Sequence, residues 1–248
     1  MKPITLITGA SRGIGAATAR CCVALGHAVV LNYRSDEAAA MALQKELLQR
    51  GATVLVVQAD VAIEADVVRL FDTVDDALGR LRFLVNNAGV VDAAVRVDEL
   101  SAAQWQRLFT VNVLGSFLCA REAIRRMSTK HGGAGGAIVN LSSTASRLGA
   151  PGRYVHYAAS KGAIDSFTVG LAQEVAAEGI RVNAVRPGII DTDIHASGGE
   201  PDRARTGAST IPMQRAGTAD EVARAITWLL SDAASYTTGA ILDVSGGR

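Results

Sequence analysis

Tyr157 and Lys161 close the stretch Tyr157-Ala158-Ala159-Ser160-Lys161. On a helix, positions i and i+4 share one face about one turn apart, so the phenol and the ammonium project side by side. A lysine ammonium beside a phenol favours the phenolate and lowers a pKa that starts near ~10. That is the equipment of a general acid or base. A Tyr and a Lys at this spacing are also an ordinary amphipathic pair, so the rest of the chain must decide between the two.

A second chemistry lies near the N-terminus. Residues 3–8 form a short apolar run rich in β-branched residues, which reads as a buried strand. It ends in Gly9-Ala10-Ser11-Arg12-Gly13-Ile14-Gly15, after which Ala17, Thr18, Cys21 and Leu25 continue at helical spacing until Gly26. Strand, glycine turn and helix N-terminus in that order make an anion site. The glycines let backbone N–H groups approach a phosphate, and the helix dipole favours negative charge there. The spacing is G-x-x-x-G-x-G rather than G-x-G-x-x-G.

The next strand, Ala28–Asn32, runs into Tyr33-Arg34-Ser35. A Rossmann fold that binds NAD places an acid here for the ribose 2′-hydroxyl. No acid occupies 32–35, and Arg34 stands in the region with Arg12 close by, so two guanidiniums could grip a 2′-phosphate. The expectation is NADP over NAD, with the nearby Asp36 as the feature that speaks against it.

These residues need a frame to bring them together. The chain has 248 residues, 49% hydrophobic and 4% aromatic, which suits helices packed on a buried parallel sheet. A net charge of +1, spread along the chain, gives no nucleic-acid or membrane-surface footprint. Three cysteines, two of them adjacent, form neither a disulfide framework nor a zinc spacing, and the four histidines show no ligand spacing; no metal site is expected. No apolar run reaches a membrane span and no signal peptide is evident, so a cytoplasmic protein is expected.

Further strands are read at 53–58, 83–85, 137–141, 180–186 and 240–244, with a helix before each. The alternation predicts an α/β fold: a single doubly wound, Rossmann-type, seven-stranded parallel sheet flanked by helices, as one domain over 1–248. A long helix is expected over 102–126 with Asn112 on an apolar face, and the polar stretch 189–212 reads as a substrate lid. The tail Gly246-Gly247-Arg248 reads as loose, and His156 as a loop or surface histidine. Ligands in such a sheet bind beyond the strands' carboxyl ends. Thr8–Gly15, Arg34, Asp60, Asn86–Gly89, Ser142-Ser143 and Pro187-Gly188 all fall there, with Tyr157 and Lys161 on the helix that follows one of them.

This set resembles the short-chain dehydrogenase/reductases, in their branch of roughly this chain length. Thr8–Gly15 matches the family's TGxxxGxG turn, Asn86-Asn87-Ala88-Gly89 its NNAG, Tyr157–Lys161 its YxxxK, and Pro187-Gly188 the PG after strand six. Ser143 and Asn112 stand where the family has its serine and asparagine. Within the family the chain is similar to bacterial NADP-type oxidoreductases, glucose dehydrogenase-like or unassigned. One departure is that Ser143 precedes Tyr157 by 14 residues, where many members have 13, so Thr144 has the commoner spacing. Ser143 is chosen because it aligns at the strand end, with the extra residue placed around Ala150-Pro151-Gly152.

The resemblance implies hydride transfer between NADP(H) and a carbonyl or secondary alcohol. It implies that Tyr157 moves the proton, Lys161 lowers the tyrosine pKa and bonds the nicotinamide ribose, Ser143 bonds the carbonyl oxygen, and Asn112 holds a relay water. The cofactor contacts it implies are Gly9, Ser11, Arg12, Gly13, Ile14, Gly15, Tyr33, Arg34, Ser35, Asp60, Val61, Asn87, Ala88, Gly89, Tyr157, Lys161, Pro187, Gly188, Ile190 and Thr192. It also implies a homotetramer built on the two long helices. A non-catalytic nucleotide-binding sensor or scaffold on the same fold is the competing reading. The substrate stays open among a sugar, a ketone, a quinone and a 3-oxoacyl thioester.

Overall fold

Short aliphatic runs that are buried on both faces pair side by side, because a parallel sheet covered by helices leaves no wet face. The computed structural model describes residues 2–248. Its strands are β1 (Ile4–Ile7), β2 (Ala28–Tyr33), β3 (Val54–Gln58), β4 (Phe83–Asn86), β5 (Gly136–Leu141), β6 (Ile180–Pro187) and β7 (Ile241–Val244). All pair in parallel in the order β3-β2-β1-β4-β5-β6-β7. The chain runs outward from β1 to β3, then returns to β4 on the other side of β1. The carboxyl ends of β1 and β4 therefore flank the topological switch point, where a crevice opens.

The helices are α1 (Gly13–Ala24), α2 (Glu37–Gln49), α3 (Glu64–Leu78), α4 (Ala102–Phe109), α5 (Gly115–Met127), α6 (Ala145–Leu148), α7 (Val155–Val175), α8 (Ile194–Ser197), α9 (Arg203–Thr206) and α10 (Ala219–Leu230). One core layer holds Val67, Phe71, Cys119, Met127 and Leu171 from α3, α5 and α7 against the sheet. The opposite layer holds Ala19, Leu43, Val222 and Ile226 from α1, α2 and α10. Buried apolar area of this kind supplies most of the stability.

Three features differ from the sequence reading. The helix expected over 102–126 is interrupted by a π-helical turn, Thr110–Leu114, with Asn112 at its centre. A π-turn inserts one extra residue into the ladder and re-aims the side chains at that point. The stretch 189–212 is not structureless: it carries α8, α9 and a 3₁₀ turn at Ala208–Thr210. The tail is not loose. Met213 N–H donates to the Gly246 carbonyl at 3.1 Å, and the Arg248 carbonyl accepts from Ser245 Oγ at 2.9 Å and from the Arg147 guanidinium at 2.7 Å. Among the described residues, no helix is long and apolar enough to cross a membrane and no cluster of metal-ligating side chains occurs.

Candidate active site

The glycine turn is built by close backbone approach. Gly9 and Gly13 take φ of 61° and 55°, a region that favours glycine. A Cβ on Gly15 would stand 2.6 Å from both Asn87 Nδ2 and the Gly9 carbonyl. Asn87 Nδ2 donates to the Thr8 and Gly9 carbonyls at 2.8 and 2.9 Å, and Thr8 Oγ1 accepts from the Asn87 and Ala88 N–H groups. The end of β4 thus clamps the turn after β1. At the start of α1, Arg12 makes no side-chain capping bond and the first turn holds no acid, so its N–H groups keep free donors. An uncapped helix N-terminus behind a glycine turn fits a phosphate-bearing cofactor.

Asn32, whose part the sequence reading missed, ties this region together. Its Oδ1 accepts from Gly9 N–H at 3.3 Å and its Nδ2 donates to the Ala59 carbonyl at 3.0 Å. A single cleft then runs past Ser11–Ile14, Tyr33–Asp36, Asp60, Val61 and Asn87–Gly89. Arg34 and Ser35 are exposed on its rim. Asp36 is engaged twice: it accepts from Ala39 N–H at 3.1 Å to cap α2, and it lies 3.8 Å from the Arg12 guanidinium. Asp60 accepts from Ala62 N–H at 2.9 Å, which makes it a turn cap as well as a cleft residue.

At the other end of the crevice the structure brings Ser143, Tyr157, Lys161 and Asn112 together. Ser143 Oγ accepts from Ala145 N–H at 3.2 Å, and Ser143 lies near enough to the Tyr157 phenol to lower its pKa. Ala150, in the loop between α6 and α7, is held at φ 45°. Lys161 Nζ donates to the Leu141 carbonyl at 2.7 Å and sits 5.8 Å from the Tyr157 ring centroid. Asn112 is fully buried; Val90 N–H donates to its Oδ1 at 2.8 Å, and its Nδ2 donates to the Val90 carbonyl at 2.9 Å. A Cβ on Gly89 would stand 3.4 Å from Asn112 Oδ1 and 3.6 Å from Lys161 Nζ.

The pKa of Tyr157 departs from the sequence reading. Burial pushes the phenol above its ordinary value, and Ser143 opposes this only in part. The lysine does not dominate, because its ammonium faces the Leu141 carbonyl. Burial also pushes Lys161 down to about 8, with Asp165 acting weakly the other way.

That shift has a stability consequence. An unfolded lysine titrates near ~10.4, so between about 8 and that value the unfolded chain holds a proton that the native state lacks. Stability from this group therefore rises with pH across the window, and its cost is complete below about 8. The gap corresponds to about 3 kcal/mol, offset by about 1 kcal/mol from the bond to Leu141. Lys161→Met is expected to be more stable than the parent at pH 7 in urea unfolding, with the difference shrinking by pH 10. A variant no more stable at pH 7 would show that the ammonium is not strained by burial.

Beyond Tyr157 the cleft opens into a chamber of about 360 Å³ under the lid, reaching Pro187–Ile190 and Thr192. Its wall includes Val91, Leu148, Pro151, Ile189 and Ile194. Tyr154 is buried between the guanidiniums of Arg153 and Arg203, 5.7 and 5.9 Å from its ring centroid, and Glu200 accepts from both arginines. His195 Nε2 donates to the Ile190 carbonyl at 2.8 Å, and burial lowers its pKa. Arg153 and His195 thus line the chamber, as do Tyr154, Arg203 and Arg248, which sequence spacing did not single out. His156 is a correction: it is 1% exposed, buried on α7 rather than on the surface, with Asp92 acting on it electrostatically.

Comparison with known proteins agrees with this geometry. A family model described as enoyl-(acyl carrier protein) reductase matches residues 9–248. The uncharacterized oxidoreductase YgfF of Escherichia coli (strain K12) is 54% identical over 99% of both chains. The cis-4-hydroxycyclohexanecarboxylate dehydrogenase of Sinomonas cyclohexanicum is 41% identical over 98% of this chain and 95% of its own. A short-chain dehydrogenase from Burkholderia cenocepacia J2315, solved in complex with NADP, superposes with a TM-score of 0.90 at 32% identity, covering 99% of this chain and 97% of that one. On its sheet, its glycine turn and these relatives, the chain belongs to the short-chain dehydrogenase/reductase family of oxidoreductases.

Proposed function

We propose that this oxidoreductase uses NADP(H) in preference to NAD(H) to interconvert a carbonyl and a secondary alcohol, with Ser143, Tyr157 and Lys161 as catalytic residues and Asn112 as a positioning residue. The observation that carries the reading is one continuous crevice with an uncapped helix N-terminus and Arg34 at one end and the Ser143–Tyr157–Lys161 group at the other. The NADP complex of the Burkholderia relative supports the cofactor. When bound, the nicotinamide supplies or accepts the hydride.

The chain's own residues handle the proton and the charge. Tyr157, whose raised pKa keeps it protonated at neutral pH, donates to the carbonyl oxygen as charge develops there. Ser143 adds a second hydrogen bond to that oxygen. Lys161, near pKa 8, takes part in replacing the tyrosine proton. Asn112 pins the turn that ends in Val90, and so the backbone against which the cofactor lies. Gly9, Ser11–Gly15, Tyr33–Ser35, Asp60, Val61, Asn87–Gly89, Pro187, Gly188, Ile190 and Thr192 form the proposed cofactor contacts. A sensor would gain nothing from holding a lysine at such cost in a core.

Incubation with NADPH and a panel of ketones and aldehydes, followed by loss of reduced-nicotinamide absorbance, tests the reading. Tight NADPH binding with no turnover of any member would favour the sensor. We also propose one domain over 1–248 and a homotetramer in the cytoplasm. Leu114, Phe117 and Val169 leave an apolar face exposed around α5 and α7, where Phe117 stacks on Phe167 at 3.6 Å. Sedimentation giving a monomer, or fractionation outside the cytoplasm, would overturn those two statements.

A further inference from the structure

We infer that the substrate carries a carboxylate, and that the Arg248 guanidinium, which lines the same chamber as Tyr157, binds it; this rests on the oxidoreductase reading above. The charged side chains lining the chamber are all basic: no Asp or Glu lines it, whereas Arg153, Arg203, Arg248 and Lys161 do. Lys161 is committed to the Leu141 carbonyl. Arg153 and Arg203 share one carboxylate, that of Glu200, and close the lid over Tyr154.

Arg248 differs from these. Its side chain has only the Thr210 hydroxyl, at 3.5 Å, and no carboxylate among the described residues pairs with it. Its backbone is anchored by Ser245 and Arg147, which places the residue beside the chamber. Arg153 and Arg203 thus have a side-chain carboxylate to share, and the Arg248 guanidinium has none. A guanidinium fork matches the two oxygens of a carboxylate.

The wall narrows the class further. Leu148, Pro151, Ile189 and Ile194 are aliphatic and offer no side-chain hydrogen bonds. Thr144, Tyr154 and His195 add hydrogen-bonding groups beside this aliphatic stretch. A molecule with its carbonyl at Tyr157, an apolar body along the aliphatic stretch and a carboxylate at Arg248 matches the charge and the wall together. The class is therefore an oxo acid, or the corresponding hydroxy acid, rather than a neutral ketone.

Paired substrates test this. Methyl-ketone acids of increasing chain length and their methyl esters are reduced with NADPH by the parent and by Arg248→Gln. In the parent, one chain length is expected to favour acid over ester by about tenfold or more in kcat/KM, carried mainly by KM. The ratio is expected to fall towards one in Arg248→Gln. Esters matching acids in the parent, or an unchanged ratio in the variant, would overturn the inference.

A thermal-shift titration with hexanoate and hexanamide reads the same contact without turnover. Hexanoate alone is expected to raise the parent's Tm, and the effect is expected to be lost in Arg248→Gln. No hexanoate-specific shift in the parent overturns the inference even where neutral ketones are reduced. The shift without turnover of any carbonyl leaves the anion contact standing and sinks the oxidoreductase reading instead.

Discussion

Tyr157→Phe is expected to lower kcat/KM for carbonyl reduction by about 10³-fold, inside the 10²–10⁴-fold that a positioned proton donor contributes. The substitution removes one oxygen and keeps the ring, which is half-buried at the start of α7. The ring keeps its packing, so folding is expected to persist. What disappears is the hydroxyl proposed as proton donor to the carbonyl, beside Ser143. The loss is expected in kcat, because a proton transferred in the transition state adds little to ground-state binding. NADPH affinity and Tm serve as controls. Near-parental turnover with both controls intact would remove Tyr157 from the chemistry and leave Ser143 and Lys161 without an acid to serve. The raised phenol pKa adds a pH signature: the reductive rate is expected to hold through neutral pH and to fall only at alkaline pH, as the proton is lost.

The parts of the site legible in the sequence are those encoded locally. Thr8–Gly15 needs only short-range sterics, since Gly9 and Gly13 must adopt positive φ, and strand runs such as Val29–Leu31 are apolar because both faces are covered. Tyr157 and Lys161 follow from helical spacing alone. The rest depends on contacts between distant segments. The π-turn around Asn112 arises where α4 and α5 pass the Asn86–Val90 turn and α7, and nothing in Thr110-Val111-Asn112-Val113-Leu114 marks an inserted residue. His156 is buried because α7 rests there against other elements, which a residue beside a loop does not reveal. Arg248 reaches the chamber only through Ser245, Arg147 and the lid. The direction of the Tyr157 shift is not legible for a related reason: helical spacing puts the lysine nearby, but burial of the phenol and the Leu141 carbonyl decide the outcome.

The proposed preference for NADP(H) rests on a comparison of three charged residues, and Arg34→Asp tests it. Asp36 follows the end of β2, the region in which NAD enzymes place the acid that receives a ribose 2′-hydroxyl. One of its oxygens accepts from Ala39 N–H to cap α2, and the other lies 3.8 Å from the exposed Arg12 guanidinium. Arg34 makes no ion pair among the described residues, and its carbonyl is held by Gln58 Nε2 at 2.9 Å, which fixes the backbone at the rim of the crevice. An acid engaged in a helix cap and a free guanidinium favour a 2′-phosphate over a 2′-hydroxyl. A charge-assisted hydrogen bond contributes about 1.5–3 kcal/mol, and Arg34→Asp replaces it with repulsion of the same phosphate. The NADPH/NADH ratio of kcat/KM is expected to fall by about 10²-fold or more, with NADH activity retained because the glycine turn and α1 are untouched. Arg12→Ala is expected to act more weakly, since its guanidinium is already shared with Asp36 and its removal also frees that acid. An unchanged ratio in Arg34→Asp would place the phosphate elsewhere and leave Asp36 to select NADH.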